Sequence, residues 1–174
     1  MNVVYVGIIM GSDSDLSVMS EAAKVCEEFG VGFEISVCSA HRSPDKAAQY
    51  AKTAVKRGLK VIIAGAGGAA HLAGVTAALT PLPVIGVPIQ FGALSGVDAL
   101  YSTVGMPPGI PVATVAINSA KNAGILAMQI LATAKGDLLE KLLKYKQELA
   151  ETVDKRNSKL QSLGYKEYLI NKNS

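Results

Sequence analysis

Tryptophan is absent from this 174-residue chain, and histidine and cysteine occur only twice each. Three phenylalanines and six tyrosines supply all its aromatic rings apart from the two imidazoles. With so few rings, and no basic run interleaved with them, stacking on nucleic acid has little to work with. The net charge of +3 is too mild to argue otherwise. Cys26 and Cys38 form no CxxC pair and no Cys/His cluster, which argues against a zinc site or a disulfide framework. They read as buried free thiols of a reducing compartment. The N-terminal MNVVYVGIIMGSDSD lacks a basic n-region and a cleavage pattern, so it reads as a first strand and not as a signal, with the cytoplasm as the expected location.

Charge is scarce where it is least expected. Between Lys60 and Lys121 the only formally charged residue is Asp98. A membrane span is excluded, because glycines and prolines from Gly65 to Pro111 leave no uninterrupted stretch of about 20 apolar residues. A charge-free middle in a water-soluble chain implies surface hidden by other copies, hence a homo-oligomer.

Hydrophobic residues make up 49% of the chain and charged residues 18%, a globular balance, and the length fits one domain, residues 1–174. Its core should span about 3–134, with an amphipathic extension over about 135–174. Apolar runs predict strands at 3–10, 33–37, 60–64, 83–88 and 112–117. Helical spacing through Leu16, Met19, Ala23, Cys26 and Phe29 predicts a helix stopping at Gly30. Further helices are expected from Pro44, capped by Ser43, to Arg57; after GAGGAAH to about Leu79; and from about Ser119 to Ala134. Nearly all-apolar strands alternating with helices predict an α/β fold: a three-layer α/β/α sandwich around a parallel, flavodoxin-like or Rossmann-like sheet. The charged, leucine-striped C-terminal piece predicts a long helix outside that sheet.

Ligands in such sheets bind at the carboxyl ends of the strands. Three unusual loops occupy those ends: GSDSD (11–15), SAHRS (39–43) and GAGGAAH (65–71). If the first three strands are neighbours, the loops share one crevice, and His41 and Arg42 point into it. Arg42 beside Ser39 and Ser43 makes a phosphate clamp, Ser12 faces phosphate and Asp15 sugar hydroxyls, although Asp13 or Ser14 also suits simple helix capping. An imidazole titrates near neutrality, which suits His41 to acid–base work, while His71 shapes the pocket or hydrogen-bonds a substrate. GAGGAAH matches G-x-G-x-x-A, yet no Asp or Glu occurs again before Asp98, so a bound dinucleotide cofactor is not expected. Its glycines either expose N–H groups to an anion at a helix start or allow close packing. No metal cluster is indicated.

MGSDSD, SAHRSPD, VIIAGAGGAAHL, PVIGVP, LSGVDALYS and MPPGIPVATVAI follow one another in an order and spacing that resemble the PurE family of purine biosynthesis, over roughly residues 3–134. The resemblance is to the type that moves a carboxylate from the exocyclic nitrogen of 5-(carboxyamino)imidazole ribonucleotide to carbon 4 of its ring. It implies catalysis by His41, nucleotide binding by Ser12, Asp15, Ser39 and Arg42, and a carboxylate grip by Ala66 and Gly67 with His71 and Leu72 beside it. It further implies no ATP, metal or other cofactor, an octamer, and an ATP-dependent synthase upstream that hands over its unstable product. Ala73, Ala99 and Gly105 depart from the family's usual residues, and the Gly105 change falls near a segment that borders the site in the family. A carboxylase using free carbon dioxide, a non-catalytic nucleotide-binding module and a purely structural assembly protein are the competing readings.

Overall fold

Every strand of the sheet runs parallel, in the order β2-β1-β3-β4-β5. The computed structural model describes residues 4–172. The strands are β1 (Val4–Met10), β2 (Gly32–Val37), β3 (Val61–Gly67), β4 (Val84–Ile89) and β5 (Ala113–Thr114). The helices are α1 (Leu16–Phe29), α2 (Pro44–Thr53), α3 (Leu72–Leu79), α4 (Val97–Val104), α5 (Ala120–Ala132) and α6 (Gly136–Lys172). Val3, where the first strand was expected to begin, lies outside the described residues, as do Asn173 and Ser174 of the C-terminal extension.

The pleat of a strand sends successive side chains to opposite faces, and both faces here are covered. Val6, Ile8 and Met10 of β1 and Val61 and Ile63 of β3 join one core with Met19, Val25 and Phe29 of α1 and Ala127 and Met128 of α5. Ile9, Ile62 and Ala64 point the other way, into a second core with Ala47 of α2 and Leu72 and Ala73 of α3. Each fully buried Val, Leu, Ile, Phe or Met side chain among them stabilises the fold by about 1.5–3 kcal/mol. Cys26 belongs to the first core and Cys38 to the second. Burial pushes the Cys26 thiol up to about 12 and raises that of Cys38 as well, so both are free, unreactive thiols.

Several expectations need correction. The fifth strand is two residues long, not six. On the side of β4 facing β5, Gly86 accepts from the Val115 N–H and Pro88 from the Asn118 N–H, but Pro88 has no N–H to return and the ladder ends there. The second helix stops at Thr53, because Arg57 folds back and donates to the Tyr50 carbonyl at 3.2 Å and to the Thr53 hydroxyl. Ser43 precedes that helix without capping it, since its hydroxyl donates to the Ser39 carbonyl at 3.2 Å. Helix α4, preceded by Gly96 and carrying Asp98 in its first turn, falls in a stretch where periodicity predicted no element.

The C-terminal helix extends outside the sheet as expected, with its backbone broken at Gly164 (φ 72°, ψ 160°). Its first turns are moored. Leu138 and Leu142 enter the first core, Lys141 Nζ donates to the Phe29 carbonyl at 2.8 Å, and the Tyr145 ring meets Phe29 edge-on. Among the described residues no helix is long and apolar enough to cross a membrane.

Candidate active site

Register brings the three loops together. Met10 sits opposite Val37 on one side and Gly65 on the other, so β1 and β2 end at one level and β3 runs two residues further. The Cys38 N–H donates to the Met10 carbonyl at 2.8 Å and the Gly11 N–H to the Gly65 carbonyl at 3.0 Å, carrying the ladder to the loop bases. Above them opens a cleft of about 460 Å³. Ser12, Asp15, Ser39, His41, Arg42, Ala66, Gly67, His71 and Leu72, the residues to which the family resemblance assigns catalysis and binding, line it, whereas Ser43 of the expected phosphate clamp does not.

GSDSD forms a tight turn before α1. Its capping is reciprocal: the Ser14 N–H donates to Ser12 Oγ at 3.4 Å and the Ser12 N–H to Asp15 Oδ2 at 3.1 Å. Ser12 and Asp15 therefore do the capping that Asp13 or Ser14 was expected to do. Burial raises the Asp15 carboxyl above the usual 3.8, outweighing the Ser12 N–H, the Ser14 hydroxyl and the Arg42 charge, which all favour ionisation.

SAHRS is a turn knotted on Ser39. The Ser39 carbonyl accepts the Ser43 N–H at 3.0 Å, and the Ser39 hydroxyl accepts the Arg42 N–H at 3.1 Å. Arg42 is thereby aimed back over the tip of β1, where Nη2 donates to the Gly11 carbonyl at 3.1 Å. A guanidinium has five N–H groups, so the arginine can brace two loops and still offer donors to an anion.

The third strand runs on through Gly67, so Gly65, Ala66 and Gly67 are ladder residues and not the loop they were expected to form. The loop proper is 68–71, and α3 starts beyond it at Leu72. A Cβ on Gly67 would lie 2.9 Å from the Phe91 Cβ and 3.0 Å from the Ile89 carbonyl oxygen, so close packing demands glycine here. At the end of the loop, His71 Nδ1 lies 2.8 Å from His41 Nε2, with the two rings 81° apart. One ring donates and the other accepts, making the imidazoles a hydrogen-bonded pair on the cleft wall.

Sequence reasoning found the lining but missed this pairing and missed Phe91, which follows β4 and lines the same cleft. The rule that placed the other loops, ligands at the carboxyl ends of parallel strands, points to Phe91 as well. Among the described residues no group of three or more His, Cys, Asp or Glu side chains gathers to hold a metal ion.

Residues 5–152 match the model of a family described as AIR carboxylase. The chain is 61% identical over 168 residues to the N5-carboxyaminoimidazole ribonucleotide mutase of Synechocystis sp., covering 97% of this chain and 96% of that one. It is 57% identical over 163 residues to the phosphoribosylaminoimidazole carboxylase of Schizosaccharomyces pombe, covering 94% of this chain but 30% of that protein. The crystal structure of Treponema denticola PurE has a TM-score of 0.81 at 28% identity, covering 90% of this chain and 98% of that one. A five-stranded parallel sheet, a cleft at its strand tips and a family match over most of its length agree: the chain belongs to the AIR carboxylase family, the PurE family that its loop motifs resemble.

Proposed function

We propose that this chain is a mutase that converts 5-(carboxyamino)imidazole ribonucleotide to the ring-carboxylated ribonucleotide, moving the carboxylate from the exocyclic nitrogen to carbon 4. The observation that carries the reading is the His41–His71 contact of 2.8 Å beside Ala66 and Gly67 in one cleft. Protonated His41 gives its proton to the carbamate nitrogen as the N–C bond breaks, and the bonding electrons stay on nitrogen. Neutral carbon dioxide is released against the Ala66–Gly67 backbone and Leu72. Carbon 4 of the aminoimidazole attacks it, the new C–C bond forms, and the proton displaced from carbon 4 returns to His41. One imidazole serves as acid and then as base, and no proton is gained or lost overall. His71 orients the His41 ring, Arg42 with Ser39 and Ser12 holds the phosphate, and Asp15 takes the ribose hydroxyls.

A second reading, prompted by the family's description as AIR carboxylase, is that the same cleft carboxylates aminoimidazole ribonucleotide with free carbon dioxide; the Schizosaccharomyces pombe carboxylase is a longer protein, of which this chain matches 30%. The two readings differ in whether turnover depends on bicarbonate. Exposed apolar side chains on α4 (Tyr101, Val104) and α6 (Leu143, Val153) support a homo-oligomer, which the family resemblance makes an octamer of single-domain chains. We place it in the cytoplasm, receiving its unstable substrate from an ATP-dependent carboxylating enzyme.

The test is turnover of freshly made carbamate substrate, without ATP or added bicarbonate, by the wild type and His41→Asn in parallel. Ring-carboxylated product from the wild type alone is expected. Product from both removes His41 from the chemistry. Binding by both without product leaves a nucleotide-binding module.

A further inference from the structure

Phe91 stands apart from everything else around the cleft. The loops after β1, β2 and β3, the last two residues of β3 (Ala66 and Gly67) and Leu72 at the start of α3 supply the other lining residues; Phe91 alone follows β4. It is a large apolar ring left 71% exposed, on a chain that places few aromatics anywhere. Its position is not casual. Gln90, immediately before it, is clamped: its N–H donates to Asn118 Oδ1 at 2.9 Å, and Asn118 Nδ2 donates to Gln90 Oε1 at 3.4 Å. The Asn118 N–H is itself tied to the Pro88 carbonyl at 2.9 Å, and Asn118 takes the left-handed backbone (φ 58°) to do so. Beyond Phe91 the chain turns away through Gly92, Ser95 and Gly96, all at positive φ. The clamp on one side and the turn on the other set the ring beside Gly67 and Gly68. A Cβ built on Gly67 would be 2.9 Å from the Phe91 Cβ, and one on Gly68 would be 3.9 Å from Phe91 Cδ1.

We infer that Phe91 is the apolar cover of the carboxylate pocket, which keeps the carbon dioxide released from the carbamate in place until carbon 4 captures it. This rests on the mutase reading above and goes beyond it by naming what prevents escape. Carbon dioxide carries no charge and no dipole, so serines, histidines and arginine cannot hold it by hydrogen bonds of any strength. Only an apolar wall that excludes water does so, and exclusion also denies it hydration to bicarbonate. Ala66, Gly67 and Leu72 line the same cleft, and Phe91 is the large apolar side chain that lines it beside Gly67 and Gly68. It holds the intermediate and takes no part in proton transfer, so it is a positioning residue.

The experiment uses the full-length protein and substrate whose carbamate carboxylate carries an isotopic label, in a buffer of unlabelled bicarbonate. The measured quantity is the fraction of label retained in the ring-carboxylated product, for the wild type, Phe91→Leu and Phe91→Ala. The ring is mostly solvent-exposed, so the substitutions leave the cores intact, and circular dichroism checks this. High retention is expected for the wild type and for Phe91→Leu, which keeps an apolar cover. Phe91→Ala is expected to lose label several-fold more often, with free aminoimidazole ribonucleotide accumulating. A general loosening of the fold would lower rate without changing this partition. Equal retention in all three proteins overturns the role of Phe91 and leaves the mutase reading standing. Absence of ring-carboxylated product from the wild type itself overturns both.

Discussion

His41 Nε2 and His71 Nδ1 meet at 2.8 Å across 30 positions of sequence, from loops that follow different strands. The contact exists because β1 pairs with both β2 and β3, which sets the two loops side by side. In the proposed mechanism this contact lets His71 orient the His41 ring, and it fixes which partner substitutions should preserve that orientation.

An asparagine amide places a polar atom where Nδ1 of histidine stands, whereas phenylalanine offers none. His71→Asn is therefore expected to keep most activity and His71→Phe to lose about tenfold in kcat, the worth of one net hydrogen bond. The pH profile of kcat should move in His71→Phe and stay in place in His71→Asn. Equal activity in the two variants would remove the orienting role.

Arg42 braces the Gly11 carbonyl and faces the cleft with a fork that lysine lacks. Arg42→Lys is expected to raise KM for the nucleotide by about ten- to a hundredfold, as loss of a charge-assisted hydrogen bond implies, with kcat little altered. Steady-state kinetics decides it, and a fall in kcat at unchanged KM would move Arg42 from binding to chemistry.

Asp15 provides a test through pH. Burial raises its pKa above 3.8, so the folded state holds the proton more firmly than the unfolded chain does. Its contribution to stability is fully present below 3.8 and is lost as pH rises through the folded value. Asp15→Asn keeps an acceptor for the Ser12 N–H and removes the charge, so it should match or exceed the wild type in stability at neutral pH. That advantage should shrink as pH falls toward 3.8, while ribonucleotide binding weakens at neutral pH. Urea denaturation across this range, with a binding titration, measures both. An advantage that grows on acidification would contradict the assignment.

Gly86 tests the packing under the sheet. A Cβ there would collide with Thr103 Cγ2 and come within 2.9 Å of Val112 Cγ1. Both neighbours are stiff β-branched residues, and Thr103 is held by its 2.7 Å bond to the Ala99 carbonyl. Gly86→Ala is expected to cost about 1–3 kcal/mol, seen as a lower Tm or a lower urea midpoint, with the chemistry intact in the folded fraction. An unchanged midpoint would show that α4 yields easily.

Much of this arrangement was legible along the chain. The apolar runs that became β1 to β4 and the spacing through Leu16, Met19 and Phe29 are local patterns, and burial on both faces of a parallel sheet requires just such runs. The three odd loops at strand ends nominated Ser12, Asp15, Ser39, His41 and Arg42 for the cleft, because parallel strands present their carboxyl ends on one edge; Leu72 came from the family resemblance and Phe91 was missed. Other features have no local signature. That β5 ends after two residues depends on Pro88, far away in sequence, having no N–H to offer. That α2 stops early depends on where one arginine side chain turns back. The His41–His71 bond, the reciprocal capping of Ser12 by Asp15 and the seat of Phe91 over Gly67 depend on distances of a few ångströms. Periodicity and composition record which face of an element is buried; hydrogen bonds and close contacts between elements depend on register and packing, which arise only once the strands lie side by side.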